Sequence, residues 1–356
     1  MTAILRSVIV AVFGLSLLAQ QEPTPPVIIR VPVNIVVVPV TVKDGNGAYV
    51  NGLRPQDFRL TDNGQLQDIK VDISYVPISL VVAIQANADT EALLPKIQKI
   101  DSMLSQLVVG EQGEIAVLIF DHRIQVLQDF TSDWDKLSQA FKKVNRPGGQ
   151  SSRMNDAVRE AIRMLSQRPP NRRRVILLIS ETRDKGSESR ARQVMLDAQM
   201  NNVIIESVNI SHWLTTLTRK PDVPRPDPIP PTARPLPAGV PPTPGNVVQV
   251  TGGQGTAANF IPVFVEIFRQ IKAIFIDNPV EVYTKYTGGQ EHFFNTQKGL
   301  EQAIARIGEE LQNQYIISYN PNNKLESGFH QIQVEVVKDG RLRRDYTIVT
   351  RPGYWL

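Results

Sequence analysis

The chain has no cysteine and four histidines, His122, His212, His292 and His330. The first absence excludes a disulfide framework and a lipid-carrying cysteine, so the fold must be held by its core alone. The four histidines are scattered without metal-ligand spacing, no glycine-rich phosphate loop opens a helix, and no Gly-x-Ser-x-Gly elbow is present. Catalysis therefore has little to stand on, and the chain reads as a non-enzyme. Charge of one sign is also missing: 39 basic against 35 acidic residues leave a formal net charge of only +4. The one basic run, Arg172-Arg173-Arg174, directly precedes an apolar segment and reads as a solvated loop, which argues against a nucleic-acid partner. No apolar run reaches the roughly 20 residues that a membrane-spanning helix needs.

What is present is a globular composition, 42% hydrophobic over 356 residues, enough for one large core or two ordinary ones. The first 19 residues have the parts of a secretory signal: Arg6 as the basic region, Ser7 to Leu18 as a short apolar stretch, and Ala19 before a polar Gln-Gln-Glu-Pro. Leu17 stands where a small residue is usual before a cleavage site, which leaves an uncleaved membrane anchor as the alternative. The expected location is exported: periplasmic, cell-surface or secreted, with membrane contact only through that segment if it is retained. Residues 20–27 form a Pro-rich tether.

Residues 28–77 are β-branched and partly alternating, punctuated by the turns Asp44-Gly45-Asn46-Gly47 and Asp62-Asn63-Gly64, and predict about four short strands. Residues 313–356 predict three more. The two terminal segments are expected to complete one small β-sandwich, with an α/β unit, residues 78–312, inserted between its halves. In that unit Leu80-Val81-Val82-Ala83-Ile84 is a continuous apolar strand, followed by a polar turn and a helical pattern over Leu93, Leu94, Ile97, Ile100, Met103, Leu104 and Leu107. Strands at 114–120, 124–127, 174–180, 203–210 and 293–294 alternate with helices at 134–144, 156–165, 188–201, 260–275, 278–288 and 300–311. Such alternation predicts a doubly wound, mainly parallel sheet. Residues 221–244 interrupt it with 11 prolines in 24 positions, expected to be an extended surface loop.

Ligands of such sheets sit beyond the carboxyl ends of the strands, so Gln85, Asn87, Asp89 and Thr90, in the turn after the opening strand, are the first candidate residues. The order strand, polar turn, helix, strand, helix, Gly-Gly turn, helix, strand resembles the von Willebrand factor A domain. The whole chain is similar to a group of A-domain-related proteins of the Acidobacteria. The carrying segments are Val38 to Asp44 with Gly52 to Phe58, Pro77-Ile78-Ser79-Leu80, Tyr286-Thr287-Gly288-Gly289, Glu309-Glu310-Leu311 with Gln314-Tyr315, and Arg351-Pro352-Gly353-Tyr354.

The resemblance implies a metal ion-dependent adhesion site, in which three loops hold a divalent ion, commonly Mg²⁺, through Asp-x-Ser-x-Ser, a Thr and an Asp, and a partner's carboxylate completes the coordination. Here Gln85 stands in the place of the first Asp, Asn87 and Asp89 in those of the two Ser, Ser152 in that of the Thr, and Glu181 in that of the last Asp. Mg²⁺ demands a near-ideal oxygen octahedron, and these replacements remove charge and change reach. The site is read as degenerate and metal-free, with no cofactor; if an ion binds, Asp89, Ser152 and Glu181 would hold it. The expected function is an adhesion-type module binding a protein or surface polymer through these loops. The alternatives are a structural envelope role through the sandwich or Pro-rich loop, and Mg²⁺-dependent adhesion.

Overall fold

The computed structural model describes residues 35–72, 76–104, 112–144, 149–211, 278–324, 328–338 and 340–355. The expected signal segment, the tether, the Pro-rich loop, the helix at 260–275 and His212 lie outside them.

In chain order the strands and helices are β1 (Val36–Lys43), β2 (Phe58–Asp62), β3 (Gln65–Leu66), β4 (Ile69–Asp72), β5 (Ile78–Gln85), α1 (Leu94–Ile97), α2 (Asp101–Met103), β6 (Glu114–Phe120), β7 (Ile124–Thr131), α3 (Trp134–Lys142), α4 (Met154–Ser166), β8 (Arg173–Ser180), α5 (Ala191–Met200), β9 (Val203–Asn209), α6 (Pro279–Thr287), β10 (Glu291–Phe293), α7 (Gln297–Asn313), β11 (Tyr315–Tyr319), β12 (Phe329–Lys338), β13 (Arg341–Leu342), β14 (Thr347–Thr350) and β15 (Gly353–Trp355).

β5 is buried at every position, because it lies inside a six-stranded sheet of order β10-β9-β8-β5-β6-β7. All its pairings are parallel except that of β6 with β7. The period-2 alternation of a strand sends Leu80, Val82 and Ile84 into one hydrophobic cluster with residues of α1, α3 and α7, and Val81 and Ala83 into another with α4, α5 and α6. Helices thus cover both faces, as the continuous apolar run requires. Each fully buried aliphatic side chain contributes about 1.5–3 kcal/mol. β6 lies on one side of β5 and β8 on the other, so the chain reverses its direction of travel across the sheet there. That reversal opens a crevice beyond the carboxyl ends of β5 and β8.

Two further sheets are built from the terminal segments: β14-β1-β11-β4, and β13-β12-β2-β3 with β15 pairing on β12. Their inner residues, among them Val38, Val40, Leu60, Ile317, Ile332 and Val336, share one buried cluster. At its heart Asp62 is fully buried and accepts hydrogen bonds from Tyr319 (2.8 Å) and Tyr354 (2.7 Å), with His330 Nδ1 at 2.8 Å. One carboxylate from the early part of the chain thereby ties together β11, β12 and β15.

Three local expectations change. The helix expected over residues 93–107 is broken into α1 and α2, because the amides of Lys99 and Ile100 bond to carbonyls three residues back, which tightens the turn. Leu93, Ile97, Ile100 and Leu104 stay buried regardless. β7 runs on to Thr131, with an irregular register against β6 at Val117. The arginine run is no solvated loop. Arg173 is buried against the Leu311 carbonyl and Gln314, Arg172 holds Ser79, Ile78 and Glu114, and Arg174 bonds the Asn201 and Arg168 carbonyls. Three guanidiniums at the amino end of a buried strand are used to satisfy backbone carbonyls around it.

Candidate functional site

Gln85 ends β5, and Glu181 follows β8, so the parallel pairing of these strands sets their side chains next to each other. Gln85 donates through Nε2 to Glu181 Oε2 (3.0 Å) and to Asn87 Oδ1 (3.1 Å), and its Oε1 accepts the Glu181 amide (2.9 Å). Asn87 in turn donates to Asp89 Oδ2 (3.2 Å) and to the Gln150 carbonyl (3.2 Å) on the second loop. Thr90 turns inward, its hydroxyl bonding the carbonyls of Gln85 and Asn87. A glutamine here both donates and accepts, which an ionised aspartate cannot do.

Ser152 is drawn to the third loop by its backbone, which exchanges two hydrogen bonds with Lys185 (3.0 and 2.9 Å). Its hydroxyl is buried and has no hydrogen-bond partner among the described residues. Ser151 adds a bond to the Lys185 carbonyl, and Gly186, at φ 112°, lies where any added Cβ would meet Ser151 Oγ at 2.8 Å. Asp184 then accepts from the Asn155 amide at the start of α4 and from Ser187 Oγ on its own loop, while Asp156 accepts the amides of Glu188 and Ser189 and the Arg153 guanidinium. Burial opposes its charge, but those hydrogen bonds hold the Asp156 carboxyl below its ordinary range. The second and third loops are one stitched unit.

All six candidate residues are therefore brought together. Gln85, Asn87, Thr90 and Ser152 are fully buried, whereas Asp89 is exposed and Glu181 is half-buried. The residue missed from the sequence is Lys185. Its ammonium lies 3.0 Å from Asp89 Oδ2 and 3.2 Å from Glu181 Oε2, a cation seated between the two carboxylates that a metal would need. Burial disfavours its charge, yet the hydrogen bonds and charges of Asp89 and Glu181 raise its pKa above the ordinary value. Asp89 and Glu181 take two of its three N–H donors. One signal in the sequence pointed this way: Gln85 carries no charge, and a cation lies four residues after Glu181 on the third loop.

Among the described residues no group of three His, Asp or Glu side chains is placed to hold a metal ion. His122 Nδ1 sits 3.1 Å from Asp121 Oδ2 at the exposed end of β6, and His330 is spent on Asp62. Among the described residues no helix is long and apolar enough to cross a membrane.

No protein-family model matches the chain, and no curated protein matches it. Among solved structures it is similar to the conserved hypothetical protein BatB of Bacteroides thetaiotaomicron, at 11% identity and TM-score 0.38, over 65% of this chain and 99% of that one. An aerotolerance-related membrane protein of Bacteroides fragilis aligns over the same shares at 12% identity and TM-score 0.38. The vWF domain of the pilus tip protein Mfa5 of Porphyromonas gingivalis aligns at 19% identity and TM-score 0.27, over 31% of this chain and 40% of that one. The assignment of an α/β fold rests on the sheet order itself.

Proposed function

We propose that the chain is an exported, non-enzymatic interaction module of the von Willebrand factor A type, which engages a protein or surface polymer through the loops at the carboxyl edge of its parallel sheet. Its unit of recognition is Asp89, Glu181 and Lys185, with Gln85, Asn87, Thr90 and Ser152 holding the loops from beneath. The observation that carries this reading is the Lys185 ammonium between Asp89 and Glu181. It supplies a fixed positive charge at the place where a divalent ion would otherwise link the protein to an acidic partner, and its third donor is available to a partner's oxygen. In this reading the module works without Mg²⁺. We also propose that the two terminal sheets form one sandwich interrupted by the α/β unit. Independent, cooperative folding of residues 28–77 alone would contradict that arrangement.

The test is capture from the envelope fraction with the intact protein, a loop variant carrying Asp89→Ala, Ser152→Ala and Glu181→Ala, and a deletion of residues 221–244. Loss of capture in the loop variant alone is the expected result. Loss in the deletion alone transfers recognition to the Pro-rich segment and overturns it.

A further inference from the structure

Among the described residues most strands at the sheet edges are short: β10 and β15 have three residues, β4 and β14 four, and β3 and β13 two. A short edge offers little to a foreign strand, and lysine or proline on an edge serves the same end. β7 is the exception. It closes the six-stranded sheet with eight residues, Ile124–Thr131, that include no proline and no lysine, and Asp129 is its one charge.

The first half of β7 also has an open backbone. The Phe120 carbonyl accepts the Ala86 amide (2.8 Å) and so faces β5; Ile124, which lies opposite Phe120, therefore turns its own N–H and C=O to the outer side. Val126, two residues on and opposite Leu118, does the same, and neither backbone has an outer partner among the described residues. The Val126 side chain is 42% exposed. Farther along the edge is closed, since Asp129 Oδ1 takes the Phe130 amide (2.8 Å). Arg123, directly before the strand, and Asp129 are both exposed, and neither makes an ion pair with a described residue.

Unpaired main-chain donors and acceptors in an extended run fit another strand, and the charges select which. Arg123 and Asp129 stand three residues before and three after Val126. A second copy of β7 laid antiparallel about a two-fold axis at Val126 brings each Arg123 beside the other copy's Asp129. The same register closes the Val126 N–H and C=O on those of the other copy and covers both exposed valines. A parallel, in-register pairing would set like charges against each other at both ends. We propose that the chain forms a two-fold dimer by antiparallel pairing of β7 with β7, centred on Val126, which joins the two six-stranded sheets into one. The carboxyl-edge loops of the two copies then lie at opposite ends of the joint sheet, so that with the recognition loops assigned above one dimer links two partners.

The experiment is sedimentation of the full chain at neutral pH over about 1 to 100 µM, with covalent trapping beside it. The intact protein is expected to pass from monomer to dimer as concentration rises. Val126→Lys sets two ammoniums against each other at the axis and should raise the dimer dissociation constant about tenfold or more, as should Arg123→Asp and Asp129→Arg singly. Arg123→Asp combined with Asp129→Arg rebuilds the pair with its signs exchanged and should restore the dimer. Because the chain has no cysteine, Val126→Cys carries the only thiol, and oxidised glutathione should join two copies through it. The Cα separation of about 5.5 Å in a hydrogen-bonded antiparallel pair suits a disulfide. Met200→Cys, exposed on α5, is the control that should not cross-link. All these positions are exposed, so circular dichroism melting should show every variant folded, and Lys185→Ala should dimerise as the intact protein does. The proposal is overturned if the chain stays monomeric throughout, if the dimer tolerates Val126→Lys, if the charge exchange restores nothing, or if Val126→Cys cross-links no more than Met200→Cys. Loss of envelope capture by Val126→Lys in a chain that stays monomeric would give the edge to a strand of another protein, and overturns it equally.

Discussion

Lys185 and Asp89 are 96 residues apart in the chain and 3.0 Å apart in the fold, joined by an ammonium-carboxylate contact on the rim of the crevice. The contact is part-exposed, so it contributes little to stability, about 0–1 kcal/mol. Its value lies in position. Replacing Lys185 with Ala is therefore expected to leave the thermal unfolding midpoint almost unchanged while abolishing capture of the partner. Circular dichroism melting and the capture assay together check this; a large loss of stability would make Lys185 a structural residue.

Stability should depend on pH through Glu206. Burial first, and then the neighbouring Glu310, push its carboxyl up to about 8, against the Gln290 amide and the Arg173 guanidinium, which favour the charge. Glu310 is raised in the same direction. A raised carboxyl is stabilising below its unfolded value near 4.5 and progressively less so as pH rises through 8, because the folded state must hold a proton that the unfolded chain has released. Chemical denaturation between pH 5 and 8 is expected to show stability falling by up to about 1 kcal/mol per pH unit, and Glu206→Gln is expected to flatten that slope and stabilise the protein at pH 8. His292, whose pKa is lowered mainly by burial, acts at the other end: its contribution is complete above about 6.5 and is lost as pH falls toward 4.

Asp62 is fully buried and receives both tyrosine hydroxyls, the histidine and the Asn323 side-chain amide, so removing it takes a partner from four buried polar groups in the core of the two terminal sheets. Asp62→Ala is expected to cost about 3–5 kcal/mol, and Tyr354→Phe about 1–3 kcal/mol, read as a shift in urea midpoint. Equal, small effects for the two variants would show that the network is not what joins β2 to β11, β12 and β15.

Gly289 follows the Tyr286-Thr287-Gly288 turn where α6 leads into β10. A Cβ there would stand 2.2 Å from the Ile205 carbonyl oxygen, and the obstruction is the backbone of β9, which is hydrogen-bonded on both sides and cannot yield. Gly289→Ala should destabilise by several kcal/mol, of the order of severe overpacking at about 3 kcal/mol. Gly45→Ala, with no atom within 4 Å of the added carbon, should be close to neutral and serves as the control.

The parts of this fold that are written in the sequence are those with a strong local period. Leu80 to Ile84 could only be a doubly covered strand, and the spacing of Leu300, Ile304, Ile307 and Leu311 placed α7 correctly within a residue or three. The parallel sheet followed from alternation. The break between α1 and α2 was not legible, since it depends on a switch of hydrogen bonding that leaves the apolar face intact. Nor was the burial of Arg173, because a charge before a strand reads as surface until the Leu311 carbonyl and Gln314 are found beside it. In the crevice the sequence marked the first loop, and Ser152 and Glu181, by position alone. It did not mark Lys185, which becomes part of the site only because the Ser152 backbone pins the third loop in place.

The most direct test of the central claim, that Lys185 stands in for the divalent ion, is a calorimetric titration of Mg²⁺ and Mn²⁺ into the intact protein and into Lys185→Ala at neutral pH. No saturable binding to the intact protein is expected in the micromolar range, and weak binding is expected to appear once Asp89 and Glu181 lose their internal cation. Micromolar binding to the intact protein that disappears in Asp89→Ala would contradict it.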